Sequence, residues 1–514
     1  MKYISAAIIV FCIVFSSCKK TIDLYPESNL NTGTYYSNYD EVKAGLNSVY
    51  SSLYRPLYRE WQFTELRSDN SLQGVPASTN SLNRDLSDLD MFIPATTHAA
   101  VYSYWQDAYF SIRDANIILQ KLGITYDPAS GTNTLNPVSI PISDADRKQF
   151  AGEALFIRAY QYFNLVRLFG GVFLIHQPIS APDAKTINRS TVGDIYKLIE
   201  ADLVTASGYL SNAKFSQIAA ADKGKANAWA AKTLLAKMYL TLNKKAEAIT
   251  LLQDVITNSG FSLQPTYAGI FSITNELNSE ILFAVRYKAG GLGLGSSFGN
   301  DFGPLNSGST VINGSGLGWN TPSTDLDTAF ITTDARRNVT IAVYGIGSAA
   351  ELYVKKFLTP VAITNDGESD WPVLRYADVL LMMAEAKGFT PESTGYIDQV
   401  RTRAGLPVLP GTVNTVGLFE KALSDERRLE FAFENHRWYD LVRYNTTLTT
   451  ITAEQVIKNY FAHEYAAHYS RYTAPVPTIA SLQANVTANK LLLPIPQHEI
   501  DTNTQLAISQ NPGY

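Results

Sequence analysis

The chain is nearly free of cysteine: its 514 residues hold two, Cys12 and Cys18, both within the first eighteen positions. A disulfide framework or a cysteine-based metal site in the body of the protein is therefore excluded. A basic excess is missing too. Lys and Arg total 42 against 47 Asp and Glu, a net charge of −5, which argues against nucleic-acid binding, since that needs a basic face. Long apolar runs are also lacking. The longest, Tyr3 to Phe15, has thirteen residues and falls short of the roughly 20 that a membrane-spanning helix requires.

What is present begins with that same run. Lys2 and the α-amino group precede the apolar stretch, and Phe15-Ser16-Ser17-Cys18 follows it. This is the order of an export signal, residues 1–17, with two small residues before a cysteine. The site resembles a bacterial lipobox and departs from it at Phe15, where Leu is usual. Cleavage before Cys18 leaves a thiol to carry lipid, so the expectation is a membrane-anchored protein whose globular part lies outside the cytoplasm. Residues 18–34, the lipidated terminus and a polar segment, read as a tether. Loss of Lys2 with the leader brings the charge near −6, 41 basic against 47 acidic residues. The hydrophobic fraction of 46% and the charged fraction of 17% suit a folded body.

Helical periodicity dominates the first half. Val42, Leu46, Val49 and Leu53 recur at three- and four-residue spacing, as do Ala108, Ile112, Ala115 and Leu119 on a helix predicted over about 100–122. Between them, residues 71–98 are rich in Ser, Asn and Asp and read as a long loop. Residues 123–143 read as a Gly/Pro/Asn/Thr-rich insertion. Leu155, Ala159, Tyr162 and Val166 mark a helix closed by Gly170-Gly171. Further helices fit 191–210, 224–242 and 244–258. The last two match the tetratricopeptide pattern, because small Ala236 and Ala248 let antiparallel helices approach while Leu235, Tyr239, Leu252 and Val255 fill the gap. A stacked helical solenoid follows from that.

Beyond residue 260 the texture changes. Glu280 to Tyr287 alternates like a short strand, and residues 290–318 carry ten of the 32 glycines before Trp319, a long irregular loop of the kind that often carries function. Helices are predicted again over 373–388, 391–404 and 417–443. On the last, Arg427, Arg428, Glu430, Glu434, Arg437 and Asp440 alternate in sign and suit pairing three and four residues apart. They sit among Leu429, Phe431, Phe433, Trp438 and Leu441, which favours scaffold over ligand binding. The proline-punctuated end is expected to lie across the surface.

Apparent catalytic motifs fail on geometry. His463-Glu464-Tyr465-Ala466-Ala467-His468 is one residue too long for a zinc helix, since histidines five apart face different sides. Gly295-Ser296-Ser297-Phe298-Gly299 matches a nucleophile elbow in letters only, lacking a strand before it and a helix signal after it. No phosphate loop or dinucleotide fingerprint occurs. No cofactor, metal or catalytic residue is expected.

Four segments resemble one family in its usual order: 153–175, 371–386, 396–407 with 425–443, and 492–514. They look like the SusD/RagB family of Bacteroidetes outer-membrane lipoproteins. The resemblance implies a mostly helical fold of tetratricopeptide-like pairs with a loop-rich ligand face and a few short strands. It divides the body into an amino-terminal region, 35–260, and a carboxyl-terminal region, 261–514. It also implies glycan capture at the cell surface and delivery to a SusC-type TonB-dependent transporter, without catalysis. Rival readings are a tetratricopeptide scaffold that binds protein, peptide uptake, and a secreted hydrolase.

Sugar binding needs aromatic platforms on a rigid frame, with polar groups to read hydroxyls. Trp319, at the end of the glycine-rich loop, is the leading candidate. Tyr104 and Trp105 follow the 71–98 segment, and Asp69 and Arg84 lie just before or within it. Trp105 also falls on an amphipathic helix, which favours the core.

Overall fold

The computed structural model describes residues 35–514, apart from 77, 79, 348, 349 and 504. The leader, Cys18 and the tether lie outside the described residues. Two helices open the body, α1 (Tyr39–Ser51) and α2 (Tyr54–Thr64), followed by the two-residue strand β1 (Ser71–Leu72). The segment expected to be loop then holds a helix, α3 (Ser81–Asp90). Its Ser/Asn/Asp content masks an apolar edge, Leu86 and Leu89, both buried, and the Asn80 side chain caps it by accepting from the Leu82 amide at 2.9 Å.

Next come α4 (Ala99–Lys121) and a hairpin, β2 (Ile124–Asp127) with β3 (Thr132–Leu135), in place of an irregular insertion. The longest helix is α5 (Asp144–Phe169), which ends at the expected Gly170-Gly171 stop. The stripe Leu155, Ala159, Tyr162 and Val166 marks one face only, yet nearly every residue from Phe150 to Phe169 is buried. The reason is that α4 and α6 (Val192–Tyr209) both pack along it, so its polar residues need internal partners. Arg158 supplies one example, donating to both Asp202 oxygens at 2.7 and 2.8 Å. α7 (Ala228–Thr241) and α8 (Lys245–Asn258) form the tetratricopeptide-like pair, with Ala236, Ala248, Leu252 and Val255 fully buried.

The second half adds short strands. β4 (Ile281–Val285) is buried at every position rather than alternating, because Leu282, Phe283 and Val285 join the main core while Ile281 and Ala284 join a small one around Tyr267 and Ile270. β5 (Thr321–Pro322), β6 (Ile341–Tyr344) and β7 (Glu351–Val354) follow; β6 pairs with β7. β8 (Trp371–Arg375), antiparallel to β4, occupies the start of the predicted 373–388 helix, which begins instead as α9 (Tyr376–Lys387). Pairing with β4, Leu374 with Phe283 and Arg375 with Ile281, holds these residues extended. α10 (Pro391–Arg403), α11 (Val416–Glu430), α12 (Arg437–Thr447) and α13 (Ala453–Glu464) complete the frame.

The helix predicted over 417–443 is thus two helices. Phe433 and Asn435 adopt left-handed backbone, φ 66° and 63°, and break it. Most of its charges accordingly pair with distant segments, although Asp440 also meets Arg443 three residues on at 2.9 Å. Glu430 accepts from Arg375 at 2.9 Å and lies 3.2 Å from Arg336; Glu434 pairs with Arg375 and Lys356; Arg427 bridges Asp378 and Asp440. Burial acts to raise the Glu430 carboxyl, and the guanidiniums of Arg403, Arg375 and Arg336 outweigh it and hold it well below its ordinary range. The carboxyl-terminal tail is not merely superficial. The Leu493 amide donates to the Leu168 carbonyl at 2.7 Å, and Asn511 Nδ2 donates to the Phe169 carbonyl at 2.9 Å, satisfying carbonyls that the end of α5 leaves without helical partners.

Candidate functional site

The two segments singled out as long loops meet. β1 and β5 pair antiparallel, Ser71 with Pro322 and Leu72 with Thr321, and the Gly74 amide extends the contact by donating to the Gly318 carbonyl at 3.0 Å. Buried Ser71 and Asn320 are hydrogen-bonded between their side chains across the same seam. The glycine-rich loop is tied down from its other side as well. A short helix, Phe298–Phe302, ends with carbonyls free, and the 317–319 backbone takes them. Leu317 donates to Asn300, Gly318 to Gly303 and Trp319 to Asp301, at 2.9–3.0 Å. Gly316 makes this possible: a Cβ there would stand 2.2 Å from the Gly303 carbonyl carbon.

Beside this seam lies a cleft of about 240 Å³. Leu72, Leu305 and Leu352 provide apolar wall, while Thr321, Glu351 and Arg471 provide polar groups. Glu464, at the end of α13, is fully buried behind it. Its carboxylate accepts from the Thr324 hydroxyl at 2.6 and 2.7 Å and from the Asp325 amide at 2.6 Å, so it is committed to the frame. His468 also lines the cleft; its Nε2 is buried 3.7 Å from Asp90, without a hydrogen-bond partner among the described residues. The arrangement offers recognition through hydrogen bonds and apolar contact. Serine 297, the elbow-like residue, donates to Asp301 at 2.6 Å and has no histidine partner. His463 is exposed and His468 buried, so the near-zinc motif places its histidines on different sides.

Comparison with known proteins decides the family. Residues 335–514 match the model described as SusD family, and residues 22–240 match one described as starch-binding associating with outer membrane. The chain belongs to the SusD/RagB family. SusD-like protein P25 of Formosa agariphila is 26% identical, with both chains covered in full. A laminarin-binding SusD-like protein of solved structure is 27% identical, with a TM-score of 0.73 and coverage of 93% of this chain and 100% of that one. Surface glycan-binding protein A from Bacteroides fluxus shares the fold at a TM-score of 0.75 and 21% identity, over 92% and 99% of the two chains.

Within this SusD/RagB chain the five residues expected from sequence are not brought together. Trp319 sits between the cleft residues Gly318 and Thr321, with its ring partly exposed and packed against the core. Arg84 is exposed on α3 and does not line the cleft. Asp69 is buried and bound to Arg437 and Arg428. Tyr104 is fully buried, and Trp105, 2% exposed, packs on Phe169 and Phe173. All three belong to the scaffold. Trp105 does edge a separate, largely apolar hollow of about 500 Å³ with Tyr109 and Phe110. Sequence reasoning missed His468, Arg471 and Leu352. The first was in view only as a failed zinc ligand; the other two carry no local signal.

Proposed function

We propose that this chain is a surface-exposed, lipid-anchored outer-membrane protein that binds an oligosaccharide and passes it to a SusC-type TonB-dependent transporter. The observation that carries the reading is the β1–β5 seam, which fixes two long loops on a rigid helical frame and opens a cleft with both apolar and hydroxyl-reading walls. The likeness to a laminarin-binding relative supports a glycan as the ligand. Trp319 and Arg471 are the proposed ligand contacts. Lipid on Cys18 is the proposed anchor. No covalent step on the ligand is part of this function.

The test is calorimetry on the purified full chain in detergent, against oligosaccharides of laminarin and of starch. Binding to one series, weakened about tenfold or more by Trp319→Ala and by Arg471→Ala, is the expected result. Failure to bind any glycan, with stable co-purification of a β-barrel, would instead favour a protein-binding scaffold. Turnover of either series that survives repurification would make the chain a hydrolase.

A further inference from the structure

A second pocket, of about 190 Å³, opens where α1 and the start of α2 meet the turn at 221–226 and the end of β4. Among the described residues its charged lining is entirely cationic: Lys223, Lys225 and Arg286. That is notable in a chain with more acidic than basic residues. The cations are unevenly compensated. Lys223 makes no ion pair among the described residues; its Nζ lies 4.4 Å from the centre of the Phe215 ring. Lys225 pairs with exposed Asp222 at 2.8 Å. Arg286, half exposed, is shared between Glu276 at 3.1 Å and Asp370 at 3.4 Å, neither of which lines the pocket. The exposed Lys225–Asp222 pair holds its partners weakly and yields to a better-placed anion, whereas Arg286 stays tied to its less exposed carboxylates.

The rest of the wall is built for a ring bearing hydroxyls. Tyr54 lines it, its own ring stacked on Tyr287 with centroids 5.0 Å apart. Asn47 and Ser51, one turn apart on α1, add hydrogen-bonding groups. Tyr50 is a fixed part of the wall, because its hydroxyl donates to Glu153 at 2.7 Å and accepts from the Ala226 amide at 3.0 Å. That second bond also fixes the turn. Gly224, at φ 82°, lets the turn lie close to β4, since a Cβ there would stand 2.7 Å from Leu277 and 3.5 Å from Arg286. The two lysines flanking Gly224 consequently both reach the pocket.

We propose that this pocket is a second binding site, separate from the cleft, for one sugar residue carrying a carboxylate or a sulfate. The anion meets Lys223, Lys225 and Arg286, and the ring lies along Tyr54. The pocket is concave and holds about one ring, which favours a sugar over an acidic protein surface. This inference does not rest on the cleft reading, because the cleft can bind or fail to bind independently.

Saturation-transfer NMR and calorimetry on the full chain in detergent test it with four probes: glucuronic acid, glucose 6-sulfate, glucose and inorganic sulfate. Expected is binding of at least one charged sugar about tenfold tighter than glucose, weakening as salt rises. Glucuronic acid alone would assign the carboxylate, and glucose 6-sulfate alone the sulfate. Lys223→Met should abolish it without unfolding the chain, Arg286→Met should weaken it, and Trp319→Ala should leave it unchanged. Equal binding of glucose, no binding of either charged sugar, or full binding by Lys223→Met would each overturn the proposal. Inorganic sulfate binding as tightly as glucose 6-sulfate would refute the role given to the ring.

Discussion

Asp69 and Arg437, 368 positions apart, form a two-pronged ion pair with Nε–Oδ1 at 2.7 Å and Nη2–Oδ2 at 2.8 Å. Arg428 reaches the same carboxylate at 3.2 Å. Burial alone would raise the Asp69 carboxyl, but Arg428 and Arg437 outweigh it and hold it down at about 2. The pair therefore locks the chain just before β1 to α12, and β1 is half of the seam beside the cleft. Removing one partner leaves a buried charge, so Asp69→Ala should cost about 3–5 kcal/mol in urea denaturation. Because the folded carboxyl is depressed, that stability is present above about pH 4 and fades as pH falls toward 2. Glycan affinity of the surviving folded fraction should change little; a selective loss of binding at unchanged stability would return Asp69 to the ligand site.

Trp105 and Trp319 should separate the same way. Trp105 is buried against Phe169 and Phe173, so Trp105→Ala should destabilise by about 3–5 kcal/mol. Trp319 is partly exposed, next in the chain to the cleft residue Gly318, and its fixed feature is the backbone amide bound to the Asp301 carbonyl, which alanine keeps. Trp319→Ala should therefore cost about 1–2 kcal/mol in stability while weakening glycan binding. Comparing thermal midpoints with calorimetric affinities for both variants checks the contrast, and equal loss of binding in both would refute it.

Anchoring and binding should also part company. Cys18→Ala in the full chain should shift the protein from the detergent-rich to the aqueous phase on detergent phase separation, because acyl chains supply the attachment. Affinity for the oligosaccharide should stay within about twofold, since the cleft lies in the body of the fold. Retention of the variant in the membrane would refute lipid on Cys18.

Much of the frame was legible because its signals are local. The stripe from Leu155 to Val166 and the glycine pair after it announced α5, and Ala236 with Ala248 announced the α7–α8 pair. The site was not legible, because its geometry rests on two strands of two residues each, 250 positions apart, which leave no periodicity to read. Asp69 looked like a loop acid free to meet ligand, and only the fold shows Arg437 opposite it. Polar residues such as Ser81 and Asp88 hid α3 because Leu86 and Leu89 alone mark its buried edge. The break at Phe433 was invisible because neither it nor Asn435 is a glycine or proline, yet both adopt left-handed backbone.

Asp301 ties the stability of the cleft loop to pH. It is buried, and burial pushes its carboxyl up to about 7 against the opposing hydrogen bond from Ser297. A raised folded value means the stability gained from the protonated form is fully present below about pH 4 and is lost as pH climbs from there through 7. Asp301→Asn keeps the shape and the acceptor for Ser297 but cannot ionise, so the variant should be spared that loss. Glu60 and Glu65, raised by burial to about 7 and about 8, add slopes of the same sign to both proteins and cancel in the difference. The advantage of Asp301→Asn should therefore grow by up to about 4 kcal/mol between pH 4 and pH 8, at about 1.4 kcal/mol for each tenfold change in proton affinity. Urea denaturation of both proteins across that range measures it, and parallel curves would refute the assignment. Because the Asp301 carbonyl accepts the Trp319 amide, ionisation that loosens the Phe298–Phe302 turn should also loosen the loop it holds. Glycan binding by the native chain should then weaken above pH 7, while that of Asp301→Asn holds level.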